Sequence, residues 1–223
     1  MVLATIRLLV FDWDGTLIDS VGRIIASLQA AAADCGVSPP DDAACRGVIG
    51  LSLPLALSHL FGPLAAARQQ ALFEAYRSHY LQHSTVAEQP FTGLELLLPA
   101  LRSAGYQLAV ATGKSRLGLD RSLAAYGLHP HFDASRCADE TRSKPDPLML
   151  NELMTELAVS PQQALMIGDS RHDMAMATAA GVAALGISHG VDDASTLLAH
   201  GAHRVVTDLA ALGQLLLAGR SSA

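Results

Sequence analysis

The first chemically reactive pattern in the chain is a pair of aspartates directly after an apolar segment. The sequence VFDWDGTLIDS (10–20) places Asp12 and Asp14 two positions apart. In an extended chain, alternate side chains point to the same side, so both carboxylates face one way. Two such charges stay ionised only when something compensates them, and a divalent cation is the obvious candidate. The Thr16 hydroxyl can donate to an oxyanion, whereas a simple Asp-Gly turn is the alternative interpretation.

A second acidic pair lies in MIGDSRHDMAMATAAG (166–181), where Asp169 and Asp173 are four positions apart. At a junction between a strand and a helix, this spacing brings both carboxylates to one turn. Carboxylate oxygens are ligands that Mg²⁺ prefers in proteins. The alternative is helix capping, with Asp169 or Ser170 as the N-cap and Asp173 in the first turn. His172 lies between the two aspartates, at the rim of such a site or on the surface.

Lysine is rare in this chain: of 15 basic residues, two are lysines, Lys114 and Lys144. Lys144 precedes a proline in RSKPDP (142–147), just ahead of a predicted helix. A lysine in a loop is usually solvated. Its position between two predicted α/β units makes it a candidate for balancing carboxylates or an anionic substrate.

The segment LAVATGKSR (108–116) contains Gly-Lys-Ser, the end of a nucleotide-binding P-loop. A P-loop also needs a glycine five residues before Gly113, and that position is Leu108 in a buried apolar run. The segment is therefore a strand that ends at Thr112. The hydroxyl of Thr112 and the amides after it would meet a small anion at a helix N-terminus, with Lys114 at the rim.

The segments around these residues predict an α/β fold. Short apolar runs indicate buried strands at 6–11, 107–112, 164–168, 182–187 and 203–206. Helical periodicity occupies 94–104, 115–126, 146–158, 172–180, 193–199 and 207–217. Strands that alternate with helices predict a parallel sheet covered on both faces. Ligands bind at the carboxyl ends of such strands, where the candidate residues lie.

Residues 17–85 differ, because they contain helical runs and no clear strand. We therefore expect a core domain from residues 1–16 and 86–223, interrupted by a helical domain at 17–85, called here the helical insertion.

Composition excludes several classes of protein. The net charge of −6 argues against general nucleic-acid binding. The apolar run at the N-terminus is too short to span a membrane. Three cysteines without a C-x-x-C pair favour a reducing cytoplasm over a disulfide framework.

The four groups of candidate residues occur in order, each at or just after a predicted strand end. In this order the chain resembles the haloacid dehalogenase superfamily, a large group of Mg²⁺-dependent aspartyl phosphatases. The motifs that carry the resemblance are D-x-D-G-T-L at 12–17, Thr112, Lys144 followed by proline, and G-D-x-x-x-D at 168–173. The resemblance covers nearly the whole chain and implies a Rossmann-like parallel core with an inserted α-helical cap domain.

The resemblance also implies roles for individual residues. Asp12 would be the nucleophile that forms an aspartyl-phosphate. Asp14 would be the general acid for the leaving alcohol and then the base for water. Lys144 would offset negative charge on Asp12 and on the phosphate. Thr112 and the amide of Gly113 would hold a phosphoryl oxygen.

A bound Mg²⁺ is a further implication of the resemblance. Its ligands would be Asp12, the backbone carbonyl of Asp14, Asp169 and Asp173, the last directly or through water. The cation would shield the incoming phosphate from the carboxylates.

The helical insertion resembles the cap of the subfamily that includes phosphoglycolate phosphatases and β-phosphoglucomutases. The segment GVIGLSL (47–53) resembles the cap loop that faces the core site. Arg46, Gly50 and Leu51 are therefore candidate substrate contacts, together with Lys114.

The resemblance favours a phosphatase of small phosphorylated metabolites, similar to phosphoglycolate phosphatases. Haloalkanoate dehalogenases lack the second aspartate of the first motif, which is present here as Asp14. Phosphonatases need a cap lysine, and 17–85 contains none. A phosphomutase shares all four motifs and stays open, as does a non-catalytic module that binds a phosphorylated ligand. A monomer and a homodimer are equally compatible with the sequence.

Overall fold

A computed structural model describes residues 3–221 of the chain. Its strands are β1 Leu8–Phe11, β2 Ile18–Asp19, β3 Gln89–Pro90, β4 Gln107–Thr112, β5 Ala134–Cys137, β6 Ala164–Gly168, β7 Ala183–Ile187 and β8 Arg204–Val206. Six of them form one parallel sheet in the order β5-β4-β1-β6-β7-β8. The predicted α/β fold with a parallel sheet is therefore confirmed.

The helices are α1 Val21–Asp34, α2 Asp42–Arg46, α3 Leu53–Phe61, α4 Ala66–Ser78, α5 Leu94–Ser103, α6 Arg116–Tyr126, α7 Leu148–Glu156, α8 Arg171–Ala179, α9 Ala194–Ala199 and α10 Leu209–Ser221. A π-helical turn, His79–His83, continues α4. None of the helices within residues 3–221 is long and apolar enough to cross a membrane.

Two apolar layers enclose the sheet. On one face, residues of α5, α6 and α10 pack against alternate strand residues such as Leu9 and Phe11. On the other face, α7, α8 and α9 pack against Leu8 and Val10. All four residues of β1 are fully buried, which explains why the central strands are continuous apolar runs rather than alternating ones.

The helices α1 to α4 form an apolar cluster of their own, separate from the two sheet layers. The antiparallel pair β2 and β3 lies where the chain enters and leaves this helical layer. The sequence predicted no strand within 17–85, and this prediction is wrong at Ile18–Asp19. That strand has two residues, which is too short to leave a periodic pattern.

The edge strand β5 is a second element that the sequence did not predict. It pairs with β4 on one side of the sheet, and three of its four residues are only partly buried. Its residues include Ser135 and Arg136, so it lacks the apolar run by which the central strands were recognised.

Candidate active site

The candidate residues of the core converge at the carboxyl edge of the sheet. Strand β1 lies between β4 and β6. Asp12 follows the end of β1, Thr112 ends β4, and Asp169 follows the end of β6. Because parallel strands end at the same edge, these three residues become neighbours in the fold. The topology thus joins motifs that are far apart in the sequence.

A cluster of three carboxylates forms the centre of this edge. One oxygen from each of Asp12, Asp169 and Asp173 lies within 4.8 Å of the others, and all three residues are buried. In the part of the chain that the structure describes, the buried Oδ2 of Asp12 has no hydrogen-bond partner. A buried oxygen without a partner costs free energy, and a cation among these oxygens would remove that cost. The donor set fits a hard divalent cation such as Mg²⁺.

Lys144 enters the cluster from the connection between β5 and α7. Its Nζ donates to Oδ1 of Asp12 at 2.5 Å and to Oδ1 of Asp173 at 2.6 Å. The residue is fully buried, so the alternative of an ordinary solvated loop lysine does not apply. Burial alone would lower the pKa of the Lys144 ammonium, but the two carboxylates outweigh it and raise the pKa.

Two carboxylates of the cluster, Asp12 and Asp169, have raised pKa values. Burial raises the pKa of Asp12 from 3.8 to about 7, against the opposing effect of Lys144 and with a further contribution from Asp173. Burial, and then the charges of Asp12 and Asp173, raise the pKa of Asp169 well above its usual value. Lys144 bonds to Asp12 and Asp173 but not to Asp169, so the negative charge of the three carboxylates exceeds the positive charge beside them and favours a bound cation.

Thr16 orients Asp169 in this structure. Its hydroxyl donates to Oδ1 of Asp169 at 2.6 Å, while the backbone amide of Val191 donates to Oδ2 at 2.8 Å. The sequence expectation was that the Thr16 hydroxyl donates to a substrate oxyanion. In this structure the Thr16 hydroxyl instead donates its hydrogen bond to a carboxylate of the protein.

Asp173 belongs to the carboxylate cluster and also to the capping box of α8, the two roles that the sequence left as alternatives. Ser170 is the N-cap of α8, and its hydroxyl accepts from the backbone amide of Asp173. The Oδ2 of Asp173 in turn accepts from the amide and hydroxyl of Ser170 at 3.1 and 2.6 Å. Its Oδ1 remains available to Lys144. The capping box therefore fixes the carboxylate in the cluster rather than competing with that role.

Asp14 lies beside the carboxylate cluster and has its own partners. Its Oδ1 accepts from the Ser20 hydroxyl at 2.6 Å and lies 2.9 Å from Nζ of Lys114. Burial lowers the pKa of Lys114, but the charge of Asp14 outweighs that effect and the pKa is raised. Lys114 is thus an ion-pair partner of Asp14. The sequence alone predicted no role for Ser20. The feature that could have identified it is its position at the end of the extended first motif, DGTLIDS.

Tyr80 is a second residue that the sequence did not single out. Its hydroxyl accepts from Nζ of Lys114 at 3.1 Å and donates to the carboxylate of Glu88. Its backbone carbonyl accepts from Nε and Nη2 of Arg23 at 2.9 and 2.5 Å. The network joins the helical insertion, the connection before β3 and the core. A tyrosine in a helical segment gives no local sequence signal of such a contact.

Two glycine-bearing segments meet at the end of β4. The hydroxyl of Thr112 is buried and accepts from the amide of Lys114 at 3.1 Å. A Cβ on Gly113 would lie 2.5 Å from the Leu51 carbonyl oxygen and 2.7 Å from that of Gly50. The structure therefore brings Gly50 and Leu51 against the core beside Gly113, a close approach that a side chain would block.

Arg46 lies away from the cavity, described below, that Asp12 and Asp14 line. Its Nη1 donates to the Gly190 carbonyl at 3.4 Å. This placement does not support the expected substrate contact. His172 is half-buried, and its Nε2 lies 3.0 Å from the Gly47 carbonyl, so it contacts the helical insertion rather than the carboxylates.

A cavity of about 330 Å³ lies between the helical insertion and the sheet edge. Asp12 and Asp14 line it on the core side, together with Gly113 and Lys114. The opposite wall comes from α1, α3, α4 and the loop before α3. The cavity thus connects the carboxylate cluster with a chamber large enough for a small organic molecule.

Comparison with known proteins agrees with this arrangement. The chain is 33% identical over 197 residues to the "Probable phosphatase IndB" of Dickeya dadantii, which covers 86% of this chain and 85% of that protein. It is 31% identical over 219 residues to the phosphoglycolate phosphatase of Rhodospirillum rubrum, covering 94% of this chain and 90% of the relative. A crystal structure of a hydrolase from Pseudomonas syringae superposes with a TM-score of 0.84 at 27% identity, covering 94% of this chain and 97% of that one.

The family comparison covers all the motifs at once. The sequence model described as haloacid dehalogenase-like hydrolase matches residues 9–187, a range that includes Asp12, Thr112, Lys144 and Asp173. The resemblance inferred from the sequence is confirmed: the chain belongs to the haloacid dehalogenase-like hydrolases.

Proposed function

We propose that this protein is a Mg²⁺-dependent phosphatase that hydrolyses a small phosphorylated metabolite through an aspartyl-phosphate on Asp12. The main support for this proposal is the environment of the two carboxylate oxygens of Asp12. One of its oxygens is bonded to Lys144. The other is buried without a partner among the described residues, in a carboxylate cluster that opens into the cavity. The phosphatase names of the relatives support the same reaction class.

In the first step, an oxygen of Asp12 attacks the phosphorus of the substrate, and the bond between phosphorus and the ester oxygen breaks. Asp14, which lines the same cavity, enters this step in its protonated form, gives its proton to the departing alkoxide and becomes a carboxylate paired with Lys114. This replaces one difficult hydrolysis by two easier steps. Ser20 and Lys114 hold the Asp14 carboxylate in position for this transfer.

In the second step, Asp14 takes a proton from a water molecule, and the water oxygen attacks the phosphorus of the aspartyl-phosphate. The bond between Asp12 and phosphorus breaks, which releases inorganic phosphate and regenerates the carboxylate. One residue thus acts as acid and then as base.

The carboxylates that would hold Mg²⁺ are Asp12, Asp169 and Asp173, with the Asp14 backbone carbonyl as a further ligand. When bound, the cation would supply positive charge that offsets the phosphate dianion and the charge that develops on its oxygens. Lys144 contributes to the same balance through its bond to Asp12. Thr112 and the Gly113 amide are the proposed contacts of a phosphoryl oxygen, supported by their place at the end of β4.

We also propose that the helical insertion acts as a cap domain over a core formed by the rest of the chain. The separate apolar cluster of α1 to α4 supports this division. Contacts across the boundary, such as the amide of Ser52 donating to the Ser143 hydroxyl at 2.8 Å, would keep water from the site when the cap is closed.

Three free cysteines support a reducing compartment such as the cytoplasm.

The test is release of inorganic phosphate from p-nitrophenyl phosphate and a panel of phosphorylated metabolites, with Mg²⁺ and with EDTA. The proposal predicts turnover that needs the metal and is lost in Asp12→Asn. Metal-independent turnover, or full activity of the variant, would contradict it. Conversion of a sugar 1-phosphate to a sugar 6-phosphate without free phosphate would instead identify a phosphomutase.

A further inference from the structure

The cavity above the carboxylates has mainly apolar walls. Apolar side chains from several elements face it, among them Ile24, Leu28, Ile49, Leu53, Phe73 and Leu117. They belong to α1, the loop before α3, α3, α4 and α6. The part of a substrate that extends from the phosphate toward the helical insertion therefore meets hydrocarbon and aromatic surface.

Most polar groups in these walls are already used by the protein. The Tyr80 hydroxyl is bonded to Glu88 and Lys114. The Ser115 hydroxyl accepts from the amide of Gly118 as the N-cap of α6. These groups have little capacity left for the several hydroxyls of a sugar. Among the described residues, the partly buried side chains of Tyr76 and Ser52 also line the cavity, and their two hydroxyls are left for one or two polar atoms of the substrate.

Positive charge is also scarce inside the cavity. Lys114 is paired with Asp14. Arg77 and Arg121 line the cavity but are exposed, and the Arg77 guanidinium lies 5.8 Å from the centre of the Phe73 ring. Among the described residues, the cations of the cavity wall are thus either paired, as Lys114 is, or exposed, as Arg77 and Arg121 are, and none is placed as a buried, unpaired partner for a carboxylate such as that of phosphoglycolate.

The apolar surface continues from the cavity to the outside of the protein. Leu81 and Leu117 both line the cavity, yet 41% and 50% of their surfaces are exposed. Large exposed apolar residues beside a concave apolar site indicate that a ligand covers them when it binds. An organic group longer than two carbons can therefore extend along this path.

We propose that the substrate is a phosphate monoester of an alcohol that carries a bulky apolar group, such as a ring or a chain of several carbons. This inference rests on the proposed phosphatase activity and specifies its substrate class. The phosphate lies at the carboxylate cluster. The organic group packs between Phe73 and Tyr76 on α4 and Leu117 on α6. A volume of about 330 Å³ suits a group of ring size better than glycolate.

The experiment compares kcat/KM for alkyl phosphates with similar leaving alcohols: ethyl, butyl, hexyl and 3-phenylpropyl phosphate, beside phosphoglycolate and glucose 6-phosphate. Burial of each added methylene group should raise kcat/KM about fourfold. Phosphoglycolate should be no better than ethyl phosphate. A flat series would overturn the inference, as would higher kcat/KM for phosphoglycolate or glucose 6-phosphate than for the hexyl ester. If no ester, including p-nitrophenyl phosphate, is hydrolysed with Mg²⁺, the proposed phosphatase activity fails and this inference with it.

Two variants locate the effect in the cavity. Phe73→Ala should lower kcat/KM for 3-phenylpropyl phosphate about tenfold or more and leave ethyl phosphate within about twofold. Leu117→Gln, at a half-exposed position that does not threaten folding, should act in the same direction. Leu96→Gln changes a leucine that is 73% exposed on α5, away from the cavity, and serves as the control. Equal losses for all esters in both cavity variants would contradict the proposal.

Discussion

The Nζ of Lys144 lies 2.5 Å from Oδ1 of Asp12, although 132 positions separate the two residues and both are buried. The pair forms because the connection after β5 folds over the end of β1. Without Lys144, Asp12 and Asp173 would be buried carboxylates with no cation bonded to them. The contact between Lys144 and Asp12 therefore affects both the stability of the folded protein and the charge of the proposed nucleophile.

Replacement of Lys144 by methionine should destabilise the metal-free protein by about 3–5 kcal/mol, because it leaves buried charge without a partner. Urea unfolding followed by circular dichroism measures this free energy. Arg142→Met, which breaks an exposed pair with Asp146 on the same loop, is the control and should cost at most about 1 kcal/mol. Equal losses in the two variants would show that the Lys144 pair does not stabilise the fold.

Addition of Mg²⁺ should raise the melting temperature of the metal-free protein, because a ligand that binds only the folded state stabilises it. At a hundred times Kd, the gain is about 2.7 kcal/mol. Asp169→Asn should lose most of this gain, whereas Asp120→Asn, on the exposed surface of α6, should keep it. A melting curve that Mg²⁺ does not shift would argue against a metal site at the carboxylate cluster.

The metal-free protein should lose stability as pH rises between about 4 and about 7. The pKa of Asp12 is raised from 3.8 to about 7 in the folded state, so the folded protein binds a proton there that the unfolded chain has released. Its contribution is complete below the unfolded pKa and is lost as pH rises through the folded pKa.

Unfolding free energies of the wild type and Asp12→Asn across this range measure the effect. Groups that do not interact with Asp12 cancel in the difference, including His189, whose pKa burial lowers. The part of the raised pKa of Asp169 that comes from the charge of Asp12 does not cancel and adds to the decline of the wild type. The wild type should decline more steeply than the variant, and saturating Mg²⁺ should remove the excess. Parallel curves without metal would contradict the raised pKa.

Gly113→Ala should reduce kcat/KM, because the added methyl group would lie 2.5 Å from the Leu51 carbonyl and push the loop of the helical insertion away. A loss of about tenfold or more is expected when a closing element is displaced. Gly22→Ala, where the nearest atom to the new Cβ is 3.5 Å away in Val86, is the matched control. Unchanged kinetics in Gly113→Ala would show that this contact is dispensable.

The sequence predicted the central strands and the ends that carry Asp12, Thr112 and Asp169, because buried parallel strands are continuous apolar runs. It did not predict β5, whose edge position allows polar residues, or β2 and β3, which have two residues each. The local sequence pattern thus identified the strands that are buried on both faces, because such burial requires apolar residues. It did not identify strands whose position or length leaves their composition free.

The site followed the same rule. The carboxylates and Lys144 could be found because their motifs have fixed spacing. The Tyr80 hydroxyl, bonded to Lys114 from 34 positions away, could not, because the contact depends on how the helical insertion packs against the core. The partner of the Thr16 hydroxyl was also unpredictable, since Asp169 is 153 positions away and only the sheet order makes them neighbours.

The most direct test of the account is to trap the phosphorylated enzyme. The protein is mixed with ³²P-labelled substrate and Mg²⁺, quenched with acid within one turnover, and digested for peptide mapping. If Asp12 is the nucleophile, the peptide that contains Asp12 carries a label that hydroxylamine removes, and Asp12→Asn carries no label. Turnover by the wild type with a label on another residue, or undiminished turnover by Asp12→Asn, would contradict it.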